Sequence, residues 1–451
     1  MRRPARAGLL VALLLTLESC TGGSGSGSAD LSGSPATPAS SPPPIGPIAP
    51  GGAPTAAAAM RALCVAPTLR PGNVQPTGDT PPEIAQLESE VSQVRELDYR
   101  HPVAVQAISD QEMDQKLEAA FDDAYPVVYY ARRSAAWRTI GVLPPGAGLR
   151  ESLRAFLTGQ VVGFYDQETG ELVYRGEGDL GLIERMTLAH ELTHALDDQH
   201  FRLRRLDAVA GRCRDEDFAA ALGLIEGSAQ YYSTQALIRF PPSIGLGDVA
   251  GALTDALTSG QGLGDVPPFV QELELWPYTA GQAFVTQIAA GGGNAAVDRA
   301  FRSMPVTTEQ VMHPSAYPGD VPAKVDIPDV SGALGAAWGD LDAMQVGEEW
   351  LRAMLALRLD GATADAAAAG WDGGVYRAWS DGTGVAVMLR TAWDSPGEAA
   401  AFADAMQAWI DAGSGDATVL DPANSSVVTA TFASDPATLE ELSTILMEFQ
   451  S

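Results

Sequence analysis

Two histidines four residues apart, with a glutamate directly after the first, constrain this chain more than any other stretch of it: His190-Glu191-Leu192-Thr193-His194. Residues four apart share one face of a helix, so the two imidazoles can hold a single metal ion only if the segment is helical. Glu191 sits about 100° round from His190, beside the open position of such an ion, where a carboxylate can take a proton from water. This is the ligand-and-base arrangement of zinc hydrolysis. Leu182, Met186, Ala189, Leu192, Ala195 and Leu196 make the surrounding segment apolar on most sides, which predicts a helix buried in a core. With five histidines in the whole chain, the spacing is no by-product of a His-rich composition.

Length allows about two or three domains with ample material for a packed core. The net charge of −29, from 57 acidic and 28 basic residues, repels nucleic acid and anionic membrane surfaces, so neither is an expected partner. At the N-terminus, Arg2, Arg3 and Arg6 precede an apolar run over 7–17 that is too short to span a bilayer and fits the core of an export signal. It ends in Leu17-Glu18-Ser19-Cys20, which resembles a bacterial lipobox; that likeness implies lipidation of Cys20 and attachment to the outer face of the cell membrane, with ordinary secretion as the alternative. Residues 1–20 are therefore read as a lipoprotein-type signal. Residues 21–60, rich in Gly, Ser, Pro and Ala with one charge and no aromatic side chain, are read as a disordered tether.

Export leaves Cys64 and Cys213 as a possible disulfide in an oxidising compartment, against two free buried thiols. Between them, residues 83–97 and 109–125 carry helical periodicity, and 161–174 reads as two strands joined at Glu168-Thr169-Gly170. Beyond residue 334 the pattern gives a helix over 345–359, a hairpin around Asp381-Gly382, a helix over 396–412, a strand over 425–432 and a last helix over 436–450. No chemical constellation appears there, and a structural or a substrate-contacting role fits equally.

A catalytic zinc site takes three protein ligands and leaves one position open. Glu226, 32 residues beyond His194, is the candidate third ligand, because it interrupts the apolar face of a helical segment at 217–240, where an unpaired carboxylate is costly to bury. Gly227 and Ala229 are small enough to let this helix approach the metal helix. HELTH followed by EGSA resembles the gluzincin class of zinc metallopeptidases, of which thermolysin is the familiar member. The run from HELTHALDDQHF through LIEGSA, PYTAGQAFV and TTEQVMHPSAY is similar to a group of poorly characterised bacterial exported proteins and lipoproteins assigned as zinc peptidases, over about 161–328.

The resemblance implies an α+β fold: a mainly helical, zincin-like catalytic domain over 61–333 with a small β-sheet, and a smaller C-terminal α+β domain over 334–451. It implies one catalytic Zn²⁺ on His190, His194 and Glu226, which would lower the pKa of its water to around 7, with Glu191 as the base. Thermolysin-like enzymes have an aspartate four residues after the glutamate ligand, and this chain has Gln230, so another group is expected to orient an imidazole. Asp198 is the candidate, with a solvated acidic helix end (Asp197, Asp198) as the alternative. His313 and Tyr317 are candidates for the transition-state donor that such enzymes take from outside the zinc helices, or else a hydrogen-bonded structural pair. Tyr231 and Tyr232 are weaker rivals. Gly163-Phe164-Tyr165-Asp166 is expected to form the cleft wall and to pair with an extended substrate, or to be a hairpin without substrate contact.

These readings point to an exported zinc metallopeptidase acting on peptide or protein. The alternatives are a surface lipoprotein whose zinc site serves structure or partner binding without turnover, and an amide hydrolase of cell-wall peptides. Membrane contact is expected only through the lipid anchor, and nothing in the sequence sets the oligomeric state.

Overall fold

The computed structural model describes residues 11–12, 56–64, 80–124, 126–176, 180–210, 212–241 and 260–450. The fold is α+β with two small sheets. Cys20, the signal apart from Val11–Ala12, and most of the tether lie outside the described residues. Helix α1 (Ala56–Leu63) corrects the expected end of the tether at residue 60. Its AAAAMRAL sequence has high helix propensity, and its Met60 packs against a cluster of the second sheet that includes Val375 and Trp379. No described helix is long and apolar enough to cross a membrane.

The first unit is built on helices α2 (Pro82–Arg95), α3 (Asp110–Ala124), α4 (Val127–Ile140), α5 (Leu149–Gln160), α6 (Leu182–Phe201), α7 (Arg205–Ala210), α8 (Asp215–Arg239) and α9 (Pro268–Arg302). Ile84, Leu87 and Val91 bury one stripe of α2, as the sequence periodicity predicts. Helix α6 is buried continuously from Thr187 to Asp197, so it is the central rod of the unit. Acidic Asp215, Glu216 and Asp217 occupy the first turn of α8, where they complement the helix dipole.

A small sheet lies beside α6, in the order β1 (Val11–Ala12), β3 (Gly163–Asp166), β4 (Glu171–Arg175), β2 (Ala104–Ile108). The β3–β4 hairpin is the expected one. Asp166 Oδ1 accepts the Glu168 N–H, and Gly170 takes the left-handed conformation (φ 71°) that closes the turn. Strand β2, parallel to β4, was not foreseen.

Gly227 corrects the expected helix approach. A Cβ there would lie 2.1 Å from the Gly281 carbonyl carbon, and one on Gly281 would lie 2.0 Å from the Gly223 oxygen. The glycines let α8 and α9 touch backbone to backbone, whereas the face of α8 toward α6 carries Ser228, whose hydroxyl donates to Asp197.

The rest of the chain comprises short helices α10 (Thr308–Met312) and α11 (Ser331–Leu334), then β5 (Gly339–Gln345), α12 (Glu348–Ala356), α13 (Gly361–Ala368), β6 (Trp371–Ser380), β7 (Val385–Trp393), α14 (Pro396–Asp411), β8 (Asp416–Val419), β9 (Val427–Ala433) and α15 (Pro436–Gln450). The strands form one antiparallel sheet in the order β5-β6-β7-β9-β8. Both faces are covered, and alternation along β7 shows how: Ala386 and Met388 face Leu442 and Ile445 of α15, while Val387 and Leu389 face the cluster that includes Trp137 and Trp350. That second cluster crosses residue 333. Trp137 of α4 meets Phe269 of α9 at 5.2 Å and Trp350 of α12 at 6.4 Å, edge to face. Arg133 of α4 pairs with buried Asp342 of β5 at 2.8 Å. The C-terminal sheet therefore shares its core with helices of the first unit, and the sequence boundary is no boundary in packing.

Candidate metal centre

Helices α6 and α8 pack side by side and bring three donor atoms together. His190 Nε2 lies 2.9 Å from His194 Nε2 and 3.2 Å from Glu226 Oε2, and His194 Nε2 lies 3.4 Å from the same oxygen. A tetrahedral ion with ligands at about 2.0 to 2.1 Å separates its donors by about 3.3 Å. All three residues are at most 1 % exposed. Burial pushes His190 down to about 4 and His194 down to about 3, so both rings are neutral and keep lone pairs for coordination.

A neutral Nε2 either donates or accepts, so a single proton on His190 Nε2 could only be shared between Glu226 and His194. One cation among the three would give each donor atom a full partner. The cluster of His190, Glu191 and His194, whose donor atoms lie within 4.8 Å of one another, could hold a metal ion. Two carboxylates border the histidines, and their partners separate their roles. Glu226 touches both imidazoles, whereas Glu191 Oε2 accepts the Tyr165 N–H of β3 at 2.8 Å. The other oxygen of Glu191 is buried without a hydrogen-bond partner. Burial, reinforced by the Glu226 charge, holds the Glu191 carboxyl well above the usual range. It is thus a buried carboxyl beside the two imidazoles, with one oxygen held by the β3 backbone and the other unpartnered.

Behind the ligands stand groups that the sequence reading assigned differently or passed over. Tyr278 of α9 is 6 % exposed, and its ring stacks on His190 at 6.1 Å and 28°. Its hydroxyl lies close to Glu226 and in the field of Glu191. The available signal was a tyrosine in the apolar run PYTAGQAFV, since a buried phenol needs a partner for its hydroxyl. Gln230, four residues after Glu226, lies near the His190 ring, but Gln230 Oε1 and His190 Nδ1 are both buried without a hydrogen-bond partner.

Asp198 does not orient an imidazole. One of its oxygens accepts the Tyr165 hydroxyl at 3.0 Å and the other the Leu203 N–H at 2.7 Å, so it braces β3 and the end of α6. Nor is the end of α6 a solvated acidic patch. Asp197 is 1 % exposed and pairs with fully buried Arg95 at 2.8 Å; its charge favours the protonated form of His194.

His313 and Tyr317 are corrected in the same way. His313 Nε2 binds Glu348 at 2.8 Å, and the Tyr317 hydroxyl donates to the Ser303 carbonyl at 2.6 Å, so both groups are committed away from the three donors. Tyr231 and Tyr232 form an edge-to-face pair; Tyr232 donates to Asn294 and lies beneath Arg95. Cys64 and Cys213 are joined by a disulfide with Cα atoms 5.6 Å apart. A family model described as a domain of unknown function (DUF8575) matches residues 335–440, the segment holding the second sheet and α12 to α14. No curated protein and no solved structure matches the chain.

Proposed function

We propose that the chain is an exported zinc-dependent metallopeptidase of the gluzincin type, with a zincin-like arrangement of α6, α8 and the β3 edge. The observation that carries this reading is the convergence of His190, His194 and Glu226 within 3.4 Å, with a partly unsatisfied Glu191 beside them. When bound, zinc would supply Lewis-acid activation of a water and of the scissile carbonyl. Glu191 takes the proton from the attacking water and passes it to the leaving amine. Tyr278 holds Glu226 by its hydroxyl and His190 by its ring, fixing the ligand geometry.

The substrate lies extended along β3. That strand sits at the sheet edge apart from the dipeptide Val11–Ala12, which pairs antiparallel with Tyr165 and Phe164 in the manner a peptide would adopt. Removal of the leader at Cys20 frees this edge in the processed protein. The Cys64–Cys213 bridge supports an oxidising compartment outside the cytoplasm, in line with the export signal.

Cleavage of an unfolded protein such as reduced casein, with and without chelator, tests the proposal. Glu191→Gln is expected to keep its zinc and to lose about 10²- to 10⁴-fold in rate. Undiminished cleavage by that variant rules the mechanism out. Bound zinc with no cleavage by the wild type favours a binding role instead.

A further inference from the structure

Helices α1, α3, α4, α5, α8 and α9, with β5, line a cavity of about 350 Å³. On α8 its wall is Asp215, Phe218 and Leu222, and the next position on that face is Glu226. On α9 its wall is Val270, Leu273 and Glu274, and one turn further stands Tyr278. Two helix faces therefore run from the cavity to the candidate metal centre. Glu274 belongs to both, since it lines the cavity and its charge reaches the Tyr278 hydroxyl close to Glu226. Strand β3 meets the same centre through another helix, where the Tyr165 N–H donates to Glu191 of α6. The donors thus stand between the β3 edge and the cavity.

The walls limit what can enter. They are mostly apolar side chains, with Leu117, Phe121, Leu153 and Leu157 among them, and the helix backbones behind them satisfy their own hydrogen bonds. A peptide main chain inside would leave its N–H and C=O groups without partners, whereas an aliphatic chain has none to lose. The volume is more than one amino-acid side chain fills and lies in the range of small-ligand sites. Three arginines and three carboxylates line it, so the walls ask for no net charge on an occupant.

We propose that the candidate centre hydrolyses N-acylated peptides, with the acyl chain in this cavity, the peptide along β3 and the acyl amide bond at the donors. Water adds to the acyl carbonyl carbon, the C–N bond breaks, and the proton passes to the leaving amine, giving a fatty acid and a peptide with a free N-terminus. The proposal rests on the hydrolase reading above and names its substrate.

Calorimetric titration of the chelator-treated full chain with tetraglycine amides capped by acetyl, hexanoyl or dodecanoyl, below their micelle concentrations, tests the cavity without its metal. Affinity is expected to rise by up to about fourfold for each methylene between acetyl and hexanoyl. Leu153→Trp and Ala343→Leu, which fill the cavity from α5 and β5, should each weaken the dodecanoyl peptide about tenfold or more and leave the acetyl peptide unchanged, with native circular dichroism. The chain-length series on the wild type decides even where a variant fails to fold. With zinc restored, chromatography should show dodecanoate released at least about tenfold faster than acetate. Equal affinity across the series, a chain-length dependence that survives both variants, or an intact acyl amide bond overturns the proposal. If casein is still cleaved, the peptidase reading stands without it; if casein too stays intact, both fall.

Discussion

The candidate metal centre and the junction between the two sheets both set a histidine against a buried glutamate: His190 against Glu226 at 3.2 Å in one, His313 against Glu348 at 2.8 Å in the other. Both are rich in buried carboxylates, with Glu216, Glu309, Glu348 and Glu349 at the junction each at most 6 % exposed. They differ in where the donors point. At the candidate metal centre three atoms face one another. At the junction three of the four each have a separate partner: Thr308 donates to Glu216, Arg352 holds Glu349, and His313 holds Glu348. Among the described residues, potential ligands gather closely enough for an ion around His190 and His194, with Glu191 and Glu226 both beside them. Residue type nominates a site, and convergence makes one. His313 had the right chemistry and the wrong neighbours.

The sharpest way to break this contrast is to remove a support that belongs to one side only. Arg95→Met leaves buried Asp197 and half-buried Asp298 without their shared guanidinium. We expect a loss of about 3 to 5 kcal/mol in unfolding free energy by urea titration. A loss below about 1 kcal/mol would mean that the network behind the metal helix is not what holds it.

Next come the aromatic and imidazole groups nominated for catalysis. Tyr278→Phe should lower the rate or zinc affinity about 10- to 100-fold while the fold melts normally, as removal of a group orienting a ligand does. His313→Ala and Tyr317→Phe should each change the rate by less than about twofold, since neither meets a donor atom. Steady-state kinetics on the three variants decides; the reverse ranking would return the transition-state role to His313 or Tyr317.

The smallest expected effect is the pH response of the junction. Burial pushes Glu309 and Glu349 up to about 8 and Glu216 up to about 7. Glu309 also faces the charges of Asp320, Glu348 and Asp394, opposed by His313. Folded carboxyls that hold protons more tightly than unfolded ones give a stability contribution that is complete below the ordinary value of 4.5 and is lost as pH rises through about 8. Urea midpoints should therefore fall between pH 5 and pH 8.5, and Glu309→Gln should flatten the slope. A midpoint that rises with pH would refute the burial of these groups as acids.

Much of the candidate metal centre was legible because the side chains that converge there lie on two helices, each with its own periodic apolar pattern. His190, Glu191 and His194 are neighbours on one helix, and Glu226 stood out as a charge on an apolar face. The hairpin at 161–174 was legible from its turn. What escaped depends on contacts between segments far apart in the chain: Arg95 with Asp197 across 102 residues, and Trp137 with Tyr376 across 239. Local periodicity carries no trace of such pairs. Gly227 shows the same limit, since smallness signals a close approach without saying to which helix. Asp198 and Asp197 were adjacent in sequence and equally acidic, and only the packing of α2 decided which one was buried.

The central claim is that three convergent side chains hold one zinc ion and that Glu191 acts beside it without holding it. Metal analysis of the purified wild type, Glu191→Gln and Glu226→Ala by mass spectrometry tests it most directly. The account predicts about one zinc per chain in the first two and a loss of most of it in the third. Zinc that survives in Glu226→Ala but is lost in Glu191→Gln would contradict it, because the roles of the two carboxylates would then be exchanged.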